Sequence, residues 1–134
     1  MQVRENGSLK HYNTFGIDVT AKRFAAFSTL PELQTLVSDF RDDNLLVLGG
    51  GSNVLFTDDY NGTVLHNKLH GIEVSDEGDH VIVTAAAGEN WHKLVMYCVE
   101  RHFAGMENLA LIPGSTGASP MQNIGAYGVE IKDI

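Results

Sequence analysis

The sequence predicts a mixed α/β (α+β) protein in two parts. Three observations carry that expectation: a strand–helix–strand alternation over residues 22–48, a change to hairpin-like strands and a single helix beyond Asn61-Gly62, and two glycine-rich segments that follow ordered elements. Lys22 to Phe27 reads as the first strand. Thr29-Leu-Pro-Glu32 then has the form of a helix start, with Thr29 as N-cap, Pro31 in the first turn and Glu32 closing a capping box. Leu33, Leu36, Val37 and Phe40 follow at helical spacing and predict a stripe facing the sheet, with Asp39, Asp42 and Asp43 outside or in the exit turn. Leu45 to Leu48 reads as a buried strand that closes a βαβ unit, for which a right-handed crossover is expected.

Beyond Asn61-Gly62 the pattern predicts antiparallel strands. Thr63 to His66 is short, and Gly71 to Ser75 and His80 to Ala85 flank the turn-rich Asp76-Glu-Gly-Asp79 as a hairpin. Asn90 is placed to cap a second helix whose stripe is Trp91, Leu94, Val95, Cys98 and Val99, with Gly105 ending the run. That helix is expected to pack on the hairpin. No internal repeat or low-complexity tract interrupts the chain.

The chain has 134 residues and 43% hydrophobic content, enough for one modest core or two small lobes. Its 17 acidic and 9 basic residues give a formal charge of −8, which argues against binding to nucleic acid or to an anionic membrane. Met1-Gln-Val-Arg-Glu-Asn leads into no apolar signal core and no stretch approaches the length of a membrane span, so a cytoplasmic location is expected. The single cysteine, Cys98, falls on the apolar stripe of the second helix and reads as a core thiol.

The run from Leu109 to Gly128 is the most informative stretch. It is crowded with Gly, Ala, Ser and Pro and contains no charged side chain. Gly114, Gly117, Gly125 and Gly128 permit turns or close approach, while Ser115, Thr116, Ser119, Gln122 and Asn123 supply neutral donors and acceptors suited to a bound cofactor. A surface linker is the plainer alternative, but it would rarely interleave Leu109, Leu111, Ile112, Met121, Ile124 and Tyr127 with its small residues. The second segment, Gly49-Gly50-Gly51-Ser52-Asn53, follows a strand directly and has the makings of a phosphate-sized amide nest. It is neither a dinucleotide fingerprint, since Val54 stands where the third glycine belongs, nor a P-loop, since no Lys-Ser or Lys-Thr pair follows. An ordinary three-glycine turn is the alternative there.

Five strings together give the chain a family resemblance: Asn13-Thr-Phe-Gly16, Gly49-Gly-Gly-Ser-Asn-Val-Leu55, Gly88-Glu-Asn-Trp91, Glu107-Asn-Leu-Ala-Leu-Ile-Pro-Gly114 and Gln122-Asn-Ile-Gly-Ala-Tyr-Gly128. In order and spacing it resembles the flavin-dependent UDP-N-acetylenolpyruvylglucosamine reductases of peptidoglycan synthesis. Thr116 sits where a small aliphatic residue is commoner in that family, and Ala118 where many members carry Ser. The resemblance implies a two-lobe FAD-binding fold of the PCMH/vanillyl-alcohol-oxidase type. It further implies a first lobe over residues 1–65, an incomplete second lobe over 66–134 and an absent substrate-binding domain, because family members are considerably longer. It implies FAD as cofactor, NADPH as reductant of the complete enzyme, and UDP-N-acetylglucosamine enolpyruvate as substrate. Gly49, Gly50, Gly51, Ser52, Asn53 and Val54 would hold the pyrophosphate. Ile112, Pro113, Gly114, Gly117, Ala118, Ser119, Met121, Ile124, Gly125, Ala126 and Tyr127 would line the rest of FAD. The catalytic residues are expected beyond Ile134, and edges left without strand partners are expected to favour self-association.

Other candidates weigh less. His66 and His70 lack a cysteine pair, a His-Glu-x-x-His string or an acidic third ligand at useful spacing, so no metal site is expected. His92 and His102 fall at the two ends of the second helix, where His102 would favour the C-terminal carbonyls. Trp91 reads as a core residue, whereas Tyr127, between Ala126 and Gly128, reads as a ligand contact. Two further functions stay open from the residues alone: a flavin oxidase of the same fold acting on a small alcohol or sugar, and a non-catalytic nucleotide-binding or interaction module.

Overall fold

The computed structural model describes residues 2–134, and the chain divides into two compact units, Met1–Leu69 and His70–Ile134. In the first unit, strands β1 (Val3–Ser8), β2 (Thr20–Phe27), β3 (Leu45–Leu48) and β4 (Tyr60–Asn67) form one sheet in the order β1-β2-β4-β3. Helix α1 (Leu30–Asp39) connects β2 to β3. Strands β2, β4 and β3 are mutually parallel, and β1 is antiparallel to β2. The helix starts as its sequence dictates. Thr29 accepts a hydrogen bond from the Glu32 amide, and the Glu32 carboxylate accepts one from Thr29 in return.

The sheet is buried on both faces. Ala25, Phe27 and Leu65 meet Leu36 of α1, with Leu33 and Phe40 at the margin. Phe24, Val64 and Leu48 point the opposite way, against Leu9, Val19 and Phe56 from the connecting loops. The alternation follows from the period of two along a strand. Two expectations need correction. Val37 of the α1 stripe is exposed, and it is Leu33, Leu36 and Phe40 that pack against the sheet. The strand Leu45–Leu48 lies at the sheet edge, where Val47 remains 57% exposed, so it is only partly buried. Asp43 does sit in the exit turn, but it is tied down: its carboxylate accepts the Thr63 hydroxyl at 2.6 Å and Arg23 Nη1 at 2.7 Å. The Thr63 bond is the largest cause of its lowered pKa.

A larger correction concerns β4. It is eight residues long, parallel, and central between β2 and β3, not a short antiparallel strand. Asn61-Gly62 reads as a turn, yet both residues belong to the strand, and the glycine is needed there because a Cβ would lie 2.3 Å from the Asn44 carbonyl oxygen. The glycine admits a backbone contact. Strand β1 was not legible at all, since only Gly7 of its six residues is buried and its order comes from pairing with β2.

His66, on β4, carries a stability prediction. Its Nδ1 is buried and meets no donor or acceptor among the described residues, while its ring packs edge-on against Tyr12 at 5.0 Å. Burial lowers its pKa below the ordinary imidazole range, and Lys68 adds to the shift. The unfolded chain therefore binds a proton more readily than the folded one, so stability is present above the unfolded value of about 6.5 and is lost as pH falls through the folded value. Denaturant midpoints measured from pH 7 down to pH 5 should fall more steeply for the wild type than for His66→Leu. Parallel profiles would show that His66 titrates without consequence.

The second unit pairs β5 (Ile72–Asp76) with β6 (Val81–Ala85) as the expected hairpin. Helix α2 (Trp91–Glu100) packs Trp91, Leu94, Val95 and Cys98 against Ile72, Val83 and Ala85. Asn90 caps it, accepting from the Lys93 amide at 3.0 Å. Two details differ from expectation. Val99 is exposed, and the helix stops at Glu100, with His102 taking φ +61° where a glycine would be usual; Gly105 comes later, in the following loop. A small hairpin of β7 (Gly125–Ala126) and β8 (Val129–Glu130) lies near the end of the chain. Among the described residues, no helix is long and apolar enough to cross a membrane, and no three His, Cys, Asp or Glu side chains converge as a metal site.

Candidate functional site

In the first unit, Gly49–Val54 leaves the C-terminal end of β3 at the sheet edge where β2 and β4 also end. Such ends are where open α/β sheets bind ligands. Gly51 has φ +69°, and a Cβ on it would fall 2.0 Å from the Tyr12 carbonyl oxygen. Its missing side chain is therefore required by the protein itself. The Gly51 carbonyl accepts the Thr14 amide at 3.1 Å, and Asn13 braces the same loop by donating Nδ2 to the carbonyls of Leu9 and Ile17 while accepting the Ile17 amide. Within the string Asn13-Thr-Phe-Gly16, Asn13 and Thr14 thus hold the glycine turn. Gly49 and Gly50 take no left-handed φ, Ser52 is half-buried, Asn53 is exposed, and the Val54 side chain joins the core. No Lys or Arg occurs from Gly49 to Phe56, so any anion held there would rely on amides and neutral side chains.

In the second unit, the run from Leu109 to Gly128 is anchored at the start of α2. Trp91 donates its indole Nε1 to the Leu109 carbonyl at 2.9 Å and its amide to the Gly114 carbonyl at 3.0 Å. Asn90 and Ser115 form an antiparallel bridge, and the amides of Thr116 and Gly117 reach the carbonyls of Glu89 and Ala87. A Cβ on Gly117 would lie 2.5 Å from that of Ala87, so this glycine too answers to packing within the protein. Gln122 Nε2 ties back to the Pro113 carbonyl at 3.1 Å. Ser119 and Ile124 are 2% exposed, and the Ser119 hydroxyl donates to the Thr116 carbonyl at 2.7 Å.

Three side chains are held outward on this frame. Leu111, Met121 and Tyr127 are 80%, 87% and 89% exposed. Leu111, Asn123 and Tyr127 are non-glycine residues at φ +63°, +46° and +53°. Such conformations cost about 1–3 kcal/mol each and gather at functional sites. Tyr127 and Gly128, both at positive φ, form the two-residue turn between β7 and β8, which has the character of a type I′ hairpin and presents the phenol ring at its tip. Ile112, Gly114, Ala118 and Ala126 are half-buried, and Pro113 and Gly125 exposed. Charge-free, with neutral polar groups and exposed apolar ones, this surface suits the uncharged ring system of a flavin.

A family model described as "FAD binding domain" matches residues 21–134. The chain belongs to this family of FAD-binding domains. FAD is thus the cofactor that both segments must be judged against, and their donor sets fit it: amides at the glycine turn and a neutral, partly apolar surface on the second unit. The chain is 46% identical over 134 residues to a UDP-N-acetylenolpyruvoylglucosamine reductase of Flavobacterium johnsoniae, covering 99% of this chain and 40% of the relative. It is 51% identical over 129 residues to a protein of the same name from Bacteroides fragilis, covering 95% of this chain and 39% of the relative. The chain spans about two-fifths of the length of these relatives. The crystal structure of a UDP-N-acetylenolpyruvylglucosamine reductase from Thermus caldophilus covers 98% of this chain, and this chain 45% of it, with TM-score 0.74 and 24% identity, so the fold is shared.

Both glycine-rich segments stand out in the sequence, but their anchors do not. Ala87 and Glu89 fix the second segment through main-chain carbonyls, which no side-chain pattern reveals. The only signal was the string Gly88-Glu-Asn-Trp91 standing ahead of the segment. His92 also takes an unforeseen part, accepting the Leu111 amide on Nδ1 at 3.2 Å.

Proposed function

We propose that this chain is the flavin-holding part of a UDP-N-acetylenolpyruvoylglucosamine reductase of peptidoglycan synthesis. The observation that carries the reading is the charge-free segment from Leu109 to Gly128, pinned to α2 while Leu111, Met121 and Tyr127 are held outward on left-handed or exposed backbone. Identity of 46–51% with reductases across nearly the whole chain supports it. When bound, FAD would supply two-electron transfer between NADPH and the double bond of UDP-N-acetylglucosamine enolpyruvate, giving UDP-N-acetylmuramate.

The work of this chain's own residues would be binding and orientation. Gly49, Gly50, Gly51, Ser52, Asn53 and Val54 would offer amides and neutral side chains to the pyrophosphate. Ile112, Pro113, Gly114, Gly117, Ala118, Met121, Gly125, Ala126 and Tyr127 would meet the rest of the cofactor, with Ser119 and Ile124 shaping the loop from within. No residue of the chain is assigned a proton-transfer role, and the catalytic groups would lie in the part of the relatives' length outside its span. The same reading places the protein in the cytoplasm and lets the unpaired edge of the β5–β6 sheet engage a second copy.

A chimaera tests the function. This chain, substituted for the corresponding stretch of the Bacteroides fragilis protein, should retain NADPH-dependent reduction of UDP-N-acetylglucosamine enolpyruvate. A folded chimaera that carries FAD but does not consume NADPH with that substrate would contradict the assignment.

A further inference from the structure

Between Gly114 and Gly117 the flavin segment is lashed to residues 87–91 by main-chain hydrogen bonds that almost any sequence could make. One side chain adds to them. The Thr116 hydroxyl donates to the Glu89 carbonyl at 3.2 Å, the same oxygen that accepts the Thr116 amide at 2.8 Å. Thr116 is also an acceptor, its carbonyl taking the Ser119 hydroxyl at 2.7 Å and the Ser119 amide at 3.1 Å. Glu89 is fixed in turn, since its carboxylate accepts the Gly71 amide at 2.8 Å and lies 3.4 Å from His70 Nδ1. A continuous run of hydrogen bonds thus passes from the start of the β5–β6 hairpin through Glu89 and Thr116 to the buried Ser119.

Other anchors of the segment lie to either side of this run: Trp91 and His92 at Leu109 and Leu111, and Gln122 Nε2 at the Pro113 carbonyl. Gly117, packed on Ala87, allows no side chain to wedge the loop in place, and Ala118 and Gly117 have no polar side-chain group to fix it. Between Gly114 and Gly117, the Thr116 hydroxyl is the side-chain group that bonds the segment to the residues ahead of α2. We propose that Thr116 is a positioning residue for the flavin segment, whose hydroxyl bond to Glu89 fixes the loop in the conformation that receives FAD. This rests on the flavin-holding role argued above.

The test compares the wild-type chain with Thr116→Val, which keeps the shape and removes the donor, and Thr116→Ser, which keeps the donor. Amide hydrogen exchange over residues 112–119 is measured without FAD, and FAD affinity and the bound flavin's absorption bands are measured by titration. Thr116→Val should speed exchange at the Thr116 and Gly117 amides, lower FAD affinity about three- to tenfold and alter the flavin bands, as expected for one lost neutral hydrogen bond. Thr116→Ser should restore all three. Unchanged exchange and affinity in Thr116→Val would overturn the proposal, as would faster exchange with FAD affinity and bands unaltered. If the wild type takes up no FAD, the positioning role falls with the flavin reading; faster exchange in Thr116→Val would then locate the failure in that reading and not in the hydroxyl bond.

Discussion

Gly51→Ala should destabilise the first unit by roughly 2–5 kcal/mol, combining the cost of a left-handed residue with that of overpacking. The backbone at position 51 has φ +69°, and the added methyl would fall 2.0 Å from the Tyr12 carbonyl oxygen and 2.9 Å from the Asn13 Cα. Backbone cannot rotate aside as a flexible side chain would. To relieve the clash, the turn must leave Tyr12 and Thr14, which breaks the Thr14 amide bond to the Gly51 carbonyl and loosens the loop braced by Asn13. Hydrogen exchange resolves the effect by unit. Amides of β2, β3 and β4 should lose protection while those of α2 keep theirs, and under the proposed role of this turn the same variant should bind FAD more weakly. Protection in β2 to β4 equal to wild type would show that the turn can yield.

Trp91→Ala should cost the second unit about 3–5 kcal/mol, the usual range for emptying a buried aromatic site. Trp91 is 1% exposed and lies at the centre of the cluster formed by Leu94, Val95, Cys98, Leu109 and Ile124. Its indole donor gives it a second role. Trp91→Phe fills most of the volume but leaves the Leu109 carbonyl without its partner at 2.9 Å, for which a penalty of roughly 1–3 kcal/mol is expected. The order wild type, Phe, Ala in urea midpoint, read by circular dichroism because this is the single tryptophan, checks the argument. A Phe variant as stable as wild type would mean that the anchor to Leu109 contributes only shape.

Where local chemistry decides structure, the fold was legible in the residues. Thr29 and Glu32 cap α1, Asn90 caps α2, and the turn around Gly78 closes β5 on β6, each through contacts within a few residues. Elements set by distant partners were not. Strand β1 owes its order to β2, and β4 is central because β2 and β3 flank it, with Gly62 kept small by Asn44 from another part of the chain. The candidate site divides the same way. Composition marked the segments around Gly49 and Gly114, whereas the left-handed backbone of Leu111 and Tyr127 was hidden, since those side chains give no reason to expect it; Asn123 is of a type that adopts it readily. Gly51 and Gly117 suit the approach of a ligand, and each also has a reason in the protein's own packing.

The most direct measurement is a titration of the purified chain with FAD, followed by flavin fluorescence and visible absorbance and repeated with Asn53→Ala. Asn53 is exposed at the glycine turn, so its substitution should leave the unfolding midpoint unchanged. Saturable binding in the wild type, weakened severalfold in Asn53→Ala, is the predicted result. A folded chain that shows no saturable change in flavin signal, or binding indifferent to Asn53, would contradict the assignment of the cofactor to this turn.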